Sequence, residues 1–202
     1  MCIRDRRNFF RLTFFSPHLV GSVFVAVLFM IIYQAPDGLL NRVLHALFGV
    51  SRDTRWLGDS RLVMPALVLT ALWMYVGFNM VYFLAALQAV NQDLYDAARV
   101  DGANAWQQFR HVTLPGIKPV AVFVVVLSTI GSFQLFELPY LMLGNTSGPE
   151  GSGLTIVMYL YQTGFETGDL GYASAIGWTL ALGVLVISLV QMKLTGAWKR
   201  GD

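Results

Sequence analysis

Charged residues are scarce in this sequence. Of its 202 residues only 13% are Asp, Glu, Lys or Arg, whereas 55% are hydrophobic and the mean hydropathy is +0.57. Soluble domains usually carry about 25% charged residues. The shortage of charge therefore excludes an ordinary soluble domain and predicts that lipid surrounds much of the chain.

Residues that build disulfides, metal sites and catalytic centres are also few. Cys2 is the single cysteine, so an internal disulfide is impossible. His18, His45 and His111 lie far apart in the sequence, which gives no basis for a metal site or a nucleophile–base pair. The Gly-x-x-x-x-Gly-Lys-Ser/Thr pattern of ATP-binding loops is missing. We therefore expect no cofactor, no metal and no ATP hydrolysis by this chain, and no enzymatic activity.

Long uncharged stretches are what the sequence has instead. A helix needs roughly 20 predominantly apolar residues to cross a bilayer. Four stretches meet or approach that length, and they predict an all-α polytopic membrane protein with a single transmembrane domain over 1–202. The predicted spans are about 14–34, 62–90, 119–143 and 170–192, with a loop at 91–118.

The positions of Lys and Arg predict the orientation of these spans. An even number of spans places both ends of the chain on one side, together with the 91–118 loop. That side carries ten of the 14 Lys and Arg residues, and the positive-inside rule assigns it to the cytoplasm. The net charge is only +2 and its carriers are scattered, so nucleic-acid binding is not expected.

The 91–118 loop has the pattern of two short helices joined by a tight turn. Asp93 is a candidate N-cap for the first helix, and Gly102 a candidate left-handed C-cap. A second short helix is predicted over 103–112, and Pro115 is expected to end it. Such a unit suits docking into another protein. An amphipathic linker that rests on the membrane surface is the alternative.

The spacing of residues in this loop resembles the EAA loop of ABC importer permeases. That motif has an acid, two alanines, a glycine at a fixed offset and an Ile-x-Leu-Pro ending. This sequence has aspartate for the usual glutamate and valine for the usual isoleucine. The matching residues are Asp96, Ala97, Ala98, Gly102, Val112, Leu114 and Pro115.

The resemblance implies an ATP-driven importer with several subunits in a bacterial inner membrane. In that family the loop contacts the ATPase subunit, which would assign this role to Asp96, Ala97, Ala98 and Gly102. It also implies a second permease subunit, forming a heterodimer, and a periplasmic or lipid-anchored substrate-binding protein. Segments such as Gly171–Ala175 are similar to the carbohydrate-uptake branch, so a sugar or related polyol is the expected substrate.

The chain has fewer predicted spans than permeases of this branch, which usually have six. Its opening, Arg7–Pro17, resembles the approach to their third span, so the first two spans are expected to be missing. An ATP-independent secondary transporter and a non-functional membrane fragment are the alternative interpretations. A secondary transporter would be expected to show paired charges or broken helices at the membrane midplane.

One acidic residue, Glu137, falls within a predicted span. Intramembrane acids are costly and by default indicate function. Here Glu137 either reaches interfacial water or lines a substrate pathway together with Gln134 or Asn79. Carboxylates and amides suit the second role because they hydrogen-bond the hydroxyls of polyols.

Overall fold

The computed structural model describes Thr13 and residues 16–195. The described residues form helices and turns without strands, which confirms the all-α prediction. The main helices, numbered here in chain order, are α1 Ser22–Ile32, α2 Leu39–Phe48, α3 Ser60–Ala89, α4 Gln92–Val100, α5 Ala105–Gln108, α6 Leu114–Phe133, α7 Glu137–Met142, α8 Ile156–Tyr161 and α9 Leu170–Leu194. Two π-helical turns, Phe109–Thr113 and Gln162–Glu166, follow α5 and α8, and a 3-10 turn covers Pro149–Gly151.

Three helical segments of the described chain are long and apolar enough to cross a membrane. They are Ser60–Ala89, Ala105–Phe133 and Leu170–Leu194. In the last two, only 6% of the most apolar window is buried within the chain. Because water cannot solvate such surfaces favourably, they require lipid or other subunits around them.

Two of the predicted spans differ from the helices observed. Residues 16–19 are helical, but the continuous helix within the predicted first span is α1, with 11 residues. Phe14 and Phe15 lie outside the described residues. The predicted third span runs to residue 143, whereas α6 ends at Phe133 and α7 begins separately at Glu137.

The chain divides into two compact units. Unit 1 is drawn from Met1–Gly77 and Phe133–Ala181, and unit 2 from Phe78–Ser132 and Leu182–Asp202. Unit 1 has an apolar core to which α1, α3 and α7 contribute, including Val25, Val63 and Leu138. These three side chains are at most 2% exposed, so burial of apolar surface stabilises this unit.

Three buried polar side chains of unit 1, those of Tyr33, Asn41 and Thr70, are hydrogen-bonded within the unit. The hydroxyl of Tyr33 lies 3.0 Å from the carbonyl oxygen of Ala66 and 3.1 Å from Oγ1 of Thr70. Asn41, on the buried side of α2, accepts a 2.7 Å hydrogen bond from the indole nitrogen of Trp56 and donates a 3.0 Å bond to the Thr54 carbonyl. Since a buried polar group without a partner is costly, these bonds fix α2 in one orientation.

In unit 2, α6 packs beside the ends of two other helices. A Cβ added to Gly116 would lie 2.9 Å from Cγ2 of Val90, so any larger residue would force the Val90 side chain to shift. Tyr82 on α3 contacts Phe123 on α6 edge to face, with 5.8 Å between ring centroids. Gln191 on α9 donates a 2.8 Å hydrogen bond to Oγ1 of Thr129.

Candidate functional site

The segment 92–113, which we call the docking segment, begins with a well-capped helix. The side chain of Asn91 accepts a 3.0 Å hydrogen bond from the backbone N–H of Asp93. The prediction that Asp93 is the N-cap is therefore wrong, because an asparagine two residues earlier takes that position. Asp93 lies instead in the first turn of α4, where its negative charge is favourable to the helix dipole.

Gly102 ends α4 in the left-handed conformation, as the sequence predicts. Its φ angle is +76°, and its N–H donates to the Arg99 carbonyl at 3.1 Å. The next N–H, of Ala103, donates to the Ala98 carbonyl at 2.9 Å. These two bonds form a Schellman motif, which satisfies helix-end carbonyls and reverses the chain sharply.

The second half of the docking segment starts with a reciprocal cap that the sequence reading missed. The side chain of Asn104 accepts from the N–H of Gln107 at 2.9 Å, and the side chain of Gln107 accepts from the N–H of Asn104 at 2.8 Å. This is a capping box with Asn in the position usually held by Ser or Thr. The Asn-x-x-Gln spacing was the available signal.

The helix continues through Pro115, which corrects the prediction that this proline ends it. Phe109–Thr113 form a π-helical turn in which the N–H of Leu114 donates to the Phe109 carbonyl five residues earlier. A proline within a helix lacks an N–H and its ring crowds the preceding turn. The wider turn just before Pro115 relieves that crowding, so α5, the π turn and α6 form one helix over Ala105–Phe133.

A hydrogen bond connects the two halves of the docking segment. The hydroxyl of Tyr95 on α4 lies 2.8 Å from Oγ1 of Thr113. Thr113 is buried, whereas Tyr95 is half-buried. This bond holds α4 against the π turn without covering the outer surfaces of either.

The docking segment exposes large apolar side chains among charged and polar ones. Val100 is 88% exposed and Trp106 68% exposed, and the Trp106 ring stacks on Phe109 with 5.7 Å between centroids. Asp96 pairs with Arg99 at 2.8 Å on the exposed surface of α4. A Cβ added to Gly102 would meet nothing within 4 Å. This surface therefore combines exposed apolar side chains with an ion pair and is accessible to another protein.

The structure brings all seven motif residues into this one segment or its exit. Asp96, Ala97, Leu114 and Pro115 are exposed, and Ala98 and Val112 are half-buried. The carbonyls of Ala97 and Ala98 both accept hydrogen bonds at the end of α4, and the side chain of Ala97 is the more exposed of the two. Among the motif residues of the docking segment, Asp96, Ala97 and the Gly102 turn are thus the most accessible.

The three candidate pathway residues are distributed over both units. Asn79 lies on α3 in unit 2 and is half-buried, whereas Gln134 and Glu137 belong to unit 1 and are exposed. Glu137 is the first residue of α7 and accepts a hydrogen bond from the hydroxyl of Ser22 on α1. It therefore lies beyond the long apolar helix rather than within it.

A polar groove opens on the surface of unit 1. Its volume is about 560 Å³. Two carboxylates and an arginine of the loop before α3 line it, together with a glutamate of the 3-10 turn. Those residues are Asp53, Asp59, Arg55 and Glu150. Among the described residues, no group of three or more His, Cys, Asp or Glu is placed to hold a metal ion.

A known protein family matches nearly the whole of this chain. Residues 7–197 match the model of the binding-protein-dependent transport system inner membrane component family. The chain belongs to this family. This membership confirms the prediction of a multi-pass ABC permease component, located in the inner membrane, rather than an enzyme.

This permease component is similar to proteins of several bacteria. It is 41% identical over 194 residues to the arabinooligosaccharides transport system permease protein AraP of Bacillus subtilis, covering 96% of this chain and 61% of that protein. It is 33% identical over 183 residues to the lactose transport system permease protein LacF of Rhizobium radiobacter, covering 90% and 61%. The chain therefore spans about three fifths of the length of these relatives.

A solved structure has the same fold. It is a bacterial alginate ABC transporter in complex with an alginate pentasaccharide-bound periplasmic protein. The TM-score is 0.85 at 25% sequence identity, and the match covers 98% of this chain and 67% of the other. The helical arrangement described above is thus the fold of an ABC importer permease.

Proposed function

We propose that this chain is a membrane-spanning subunit of an ATP-driven ABC importer and forms part of the pathway for a sugar or related polyol. The family assignment supports the transport role. The sugar is supported by relatives named for arabino-oligosaccharides and lactose, at 41% and 33% identity. Import driven by a separate ATPase is the interpretation that explains why this chain has no ATP-binding loop.

The docking segment is the proposed contact with the ATPase subunit. The observation that carries this proposal is its exposed apolar surface, with Val100 88% exposed and Trp106 68% exposed. Trp106 and Phe109 adjoin each other and are both exposed, and contiguous exposed apolar side chains mark interaction sites. The centre of the proposed contact is formed by Asp96, Ala97, Ala98 and Gly102. The remaining motif residues, Val112, Leu114 and Pro115, lie where the segment continues into α6.

The proposed assembly contains further subunits. A second permease subunit would cover part of the apolar surface of the long helices, and membrane lipid the remainder, because little of that surface is buried within the chain. A substrate-binding protein would deliver the sugar to the outer face, as the periplasmic protein in the solved alginate transporter complex suggests. Both ends of the chain and the docking segment are assigned to the cytoplasm.

Asn79, Gln134 and Glu137 are proposed to hydrogen-bond the sugar hydroxyls in the pathway. Glu137 and Gln134 have exposed side chains near the start of α7. The Ser22 hydroxyl already occupies one carboxylate oxygen of Glu137 and orients it. The second oxygen remains available to a polyol.

Photo-cross-linking in native membranes tests the docking role. A photoreactive residue replaces Ala97, which is exposed, in the natural full-length chain, and the trapped partner is identified by mass spectrometry. The matched control carries the same group at Leu47, which is 69% exposed on α2 and assigned to the other side of the membrane. We expect the ATPase subunit from position 97 only.

A second variant separates contact from folding. Gly102→Asn keeps the left-handed turn accessible, because asparagine tolerates that conformation, but adds a side chain in the open space beyond the turn. We expect this variant to fold normally and to lose cross-linking from position 97. If the photoreactive residue at position 97 captures only lipid or unrelated proteins when Gly102 is unchanged, the docking segment does not contact the ATPase.

A further inference from the structure

Four aromatic side chains of unit 1 form one continuous cluster. Phe136 and Tyr140 stack at the start of α7 with 5.0 Å between ring centroids and 26° between planes. Tyr161 and Phe165, across α8 and its π turn, stack at 5.3 Å and 29°. We call these four residues the aromatic shelf.

The two pairs of the shelf touch each other. Phe136 lies 5.1 Å from Tyr161, and Tyr140 lies 5.4 Å from Tyr161, measured between ring centroids. Within each pair the centroid distance is too long for a face-to-face stack, so the rings are offset. The four rings therefore form one contiguous aromatic patch, with Phe165 its most exposed member.

The shelf is not part of the apolar core. Phe165 is 71% exposed, and the other three rings are half-buried. The inward positions of the same helices are taken by Leu138, Met142 and Met158, which are at most 2% exposed. Core packing therefore does not require four aromatic rings at the surface.

Hydrogen-bonding groups lie beside the rings. Gln162 follows Tyr161 directly, and its side-chain oxygen accepts a 3.3 Å bond from the hydroxyl of Ser147. That bond orients the amide and leaves its NH₂ group to donate. Glu166 follows Phe165 and is exposed, and two of the shelf residues carry hydroxyls of their own.

This combination fits a carbohydrate better than a lipid chain. A sugar ring presents C–H groups on its faces, which pack on aromatic rings, and hydroxyls at its edges, which need hydrogen bonds. By contrast, the exposed surface of α9 is mainly aliphatic, with Leu182, Leu185, Val186 and Leu189 each at least 45% exposed. Hydroxyls, an amide and a carboxylate around stacked rings match a polyol.

We infer that the aromatic shelf is a stacking site for successive rings of an oligosaccharide on the outer side of this permease component. This inference rests on the proposed function, which supplies the substrate class and the orientation. It adds a specificity element: a substrate of more than one sugar unit would contact both stacked pairs, whereas a single unit would contact one.

Transport by the natural full-length permease, assembled with its partners in proteoliposomes, tests the site. The probes are arabinose, lactose and arabino-oligosaccharides of two to four units, and the readouts are KM and kcat. Phe165→Leu removes an exposed ring and should raise KM roughly 3- to 10-fold, more for longer probes than for shorter ones. Phe165→Tyr keeps a ring and should restore the unmodified KM.

The matched control is Tyr159→Leu. Tyr159 is 41% exposed on the same helix as Tyr161, but its ring contacts Tyr172 rather than the shelf. We expect its KM to match the unmodified protein for every probe.

The remaining outcomes separate the two proposals. An unchanged KM in Phe165→Leu, with transport intact, would overturn the shelf and leave the proposed function standing. A fall in kcat that is equal for all probes would indicate a lipid-anchoring role and also overturn it. If the unmodified transporter carries none of the probes, the proposed sugar and the shelf both fail.

Discussion

The core of unit 1 and the docking segment use polar side chains in opposite ways. In the core, Tyr33, Thr70 and Asn41 are buried and hydrogen-bonded within the unit. In the docking segment, Asn104 caps a short helix, while the large apolar Val100 is 88% exposed. One region is held by burial, and the other by helix caps, a backbone turn and a single side-chain bond.

The difference explains how an apolar surface can stay both ordered and open. A short helix such as α4, with 9 residues, is marginal by itself in water. Its N-cap, its Schellman turn and the bond between Tyr95 and Thr113 supply order without covering its outer surface. The docking segment can therefore present a fixed shape before a partner binds.

The largest expected effect comes from truncating the core of unit 1. Leu138 is 2% exposed, so Leu138→Ala should lower the free energy of unfolding by about 2–5 kcal/mol. Denaturant unfolding of the full-length permease in detergent micelles measures this. Val100→Ala should change the same quantity by less than about 0.5 kcal/mol, because its side chain is almost fully exposed. Equal losses in the two variants would remove the contrast between the regions.

A smaller effect is expected from the buried amide of α2. Asn41→Ala leaves the indole N–H of Trp56 and the Thr54 carbonyl without that partner, which should cost about 1–3 kcal/mol. Thermal unfolding followed by Trp fluorescence measures the loss. The neighbouring Arg42→Ala is the control, since its pair with Asp37 is 3.4 Å long and exposed. A loss no larger than that of the control would show that the amide does not fix α2.

Removing a cap should act locally on the docking segment. Asn104→Ala deletes the acceptor for the Gln107 N–H, and a lost N-cap costs about 0.5–2 kcal/mol. Amide hydrogen exchange over 105–109 should accelerate roughly 2- to 30-fold, while the global unfolding transition stays in place. Arg42→Ala should leave exchange in this stretch unchanged. A lowered global transition would contradict the view that this region is held locally.

The smallest effect concerns the ion pair on α4. Asp96 and Arg99 are each about 60% exposed, so Arg99→Gln should change the free energy of unfolding by less than about 0.5 kcal/mol. The unfolding measurement used for Leu138→Ala applies here as well. A loss above about 1 kcal/mol would mean that the pair has a structural role in this segment.

Local features of the sequence predicted the turn between the two halves of the docking segment. They did not predict which residue caps α4 or that the helix continues through Pro115. Gly102 at a helix end has one favoured conformation, and the structure has it. Asp93 and Asn91 are both good N-caps two residues apart, and residue type alone does not decide between them. At Pro115 the general rule against proline in helices was misleading, because a π turn just before it makes room for the ring.

Long-range contacts account for what the sequence could not predict. The early end of α6 at Phe133 and the start of α7 at Glu137 accompany the burial of Leu138 in the core of unit 1 and the bond from Ser22. Mean hydropathy does not register this break, because it averages over neighbouring residues. The predicted third span therefore continues to residue 143. The aromatic shelf likewise depends on two helices meeting, since Phe136 and Tyr161 are distant in sequence.

Hydrogen exchange measured with and without the ATPase subunit tests whether the docking segment contacts that subunit. We expect the amides of the docking segment, above all those from Ala97 to the Gly102 turn, to become protected when the ATPase binds the full-length permease. Amides of the unit 1 core around Leu138 should not change. Protection absent from the docking segment, or confined to other regions, would contradict its assignment as the contact with the ATPase.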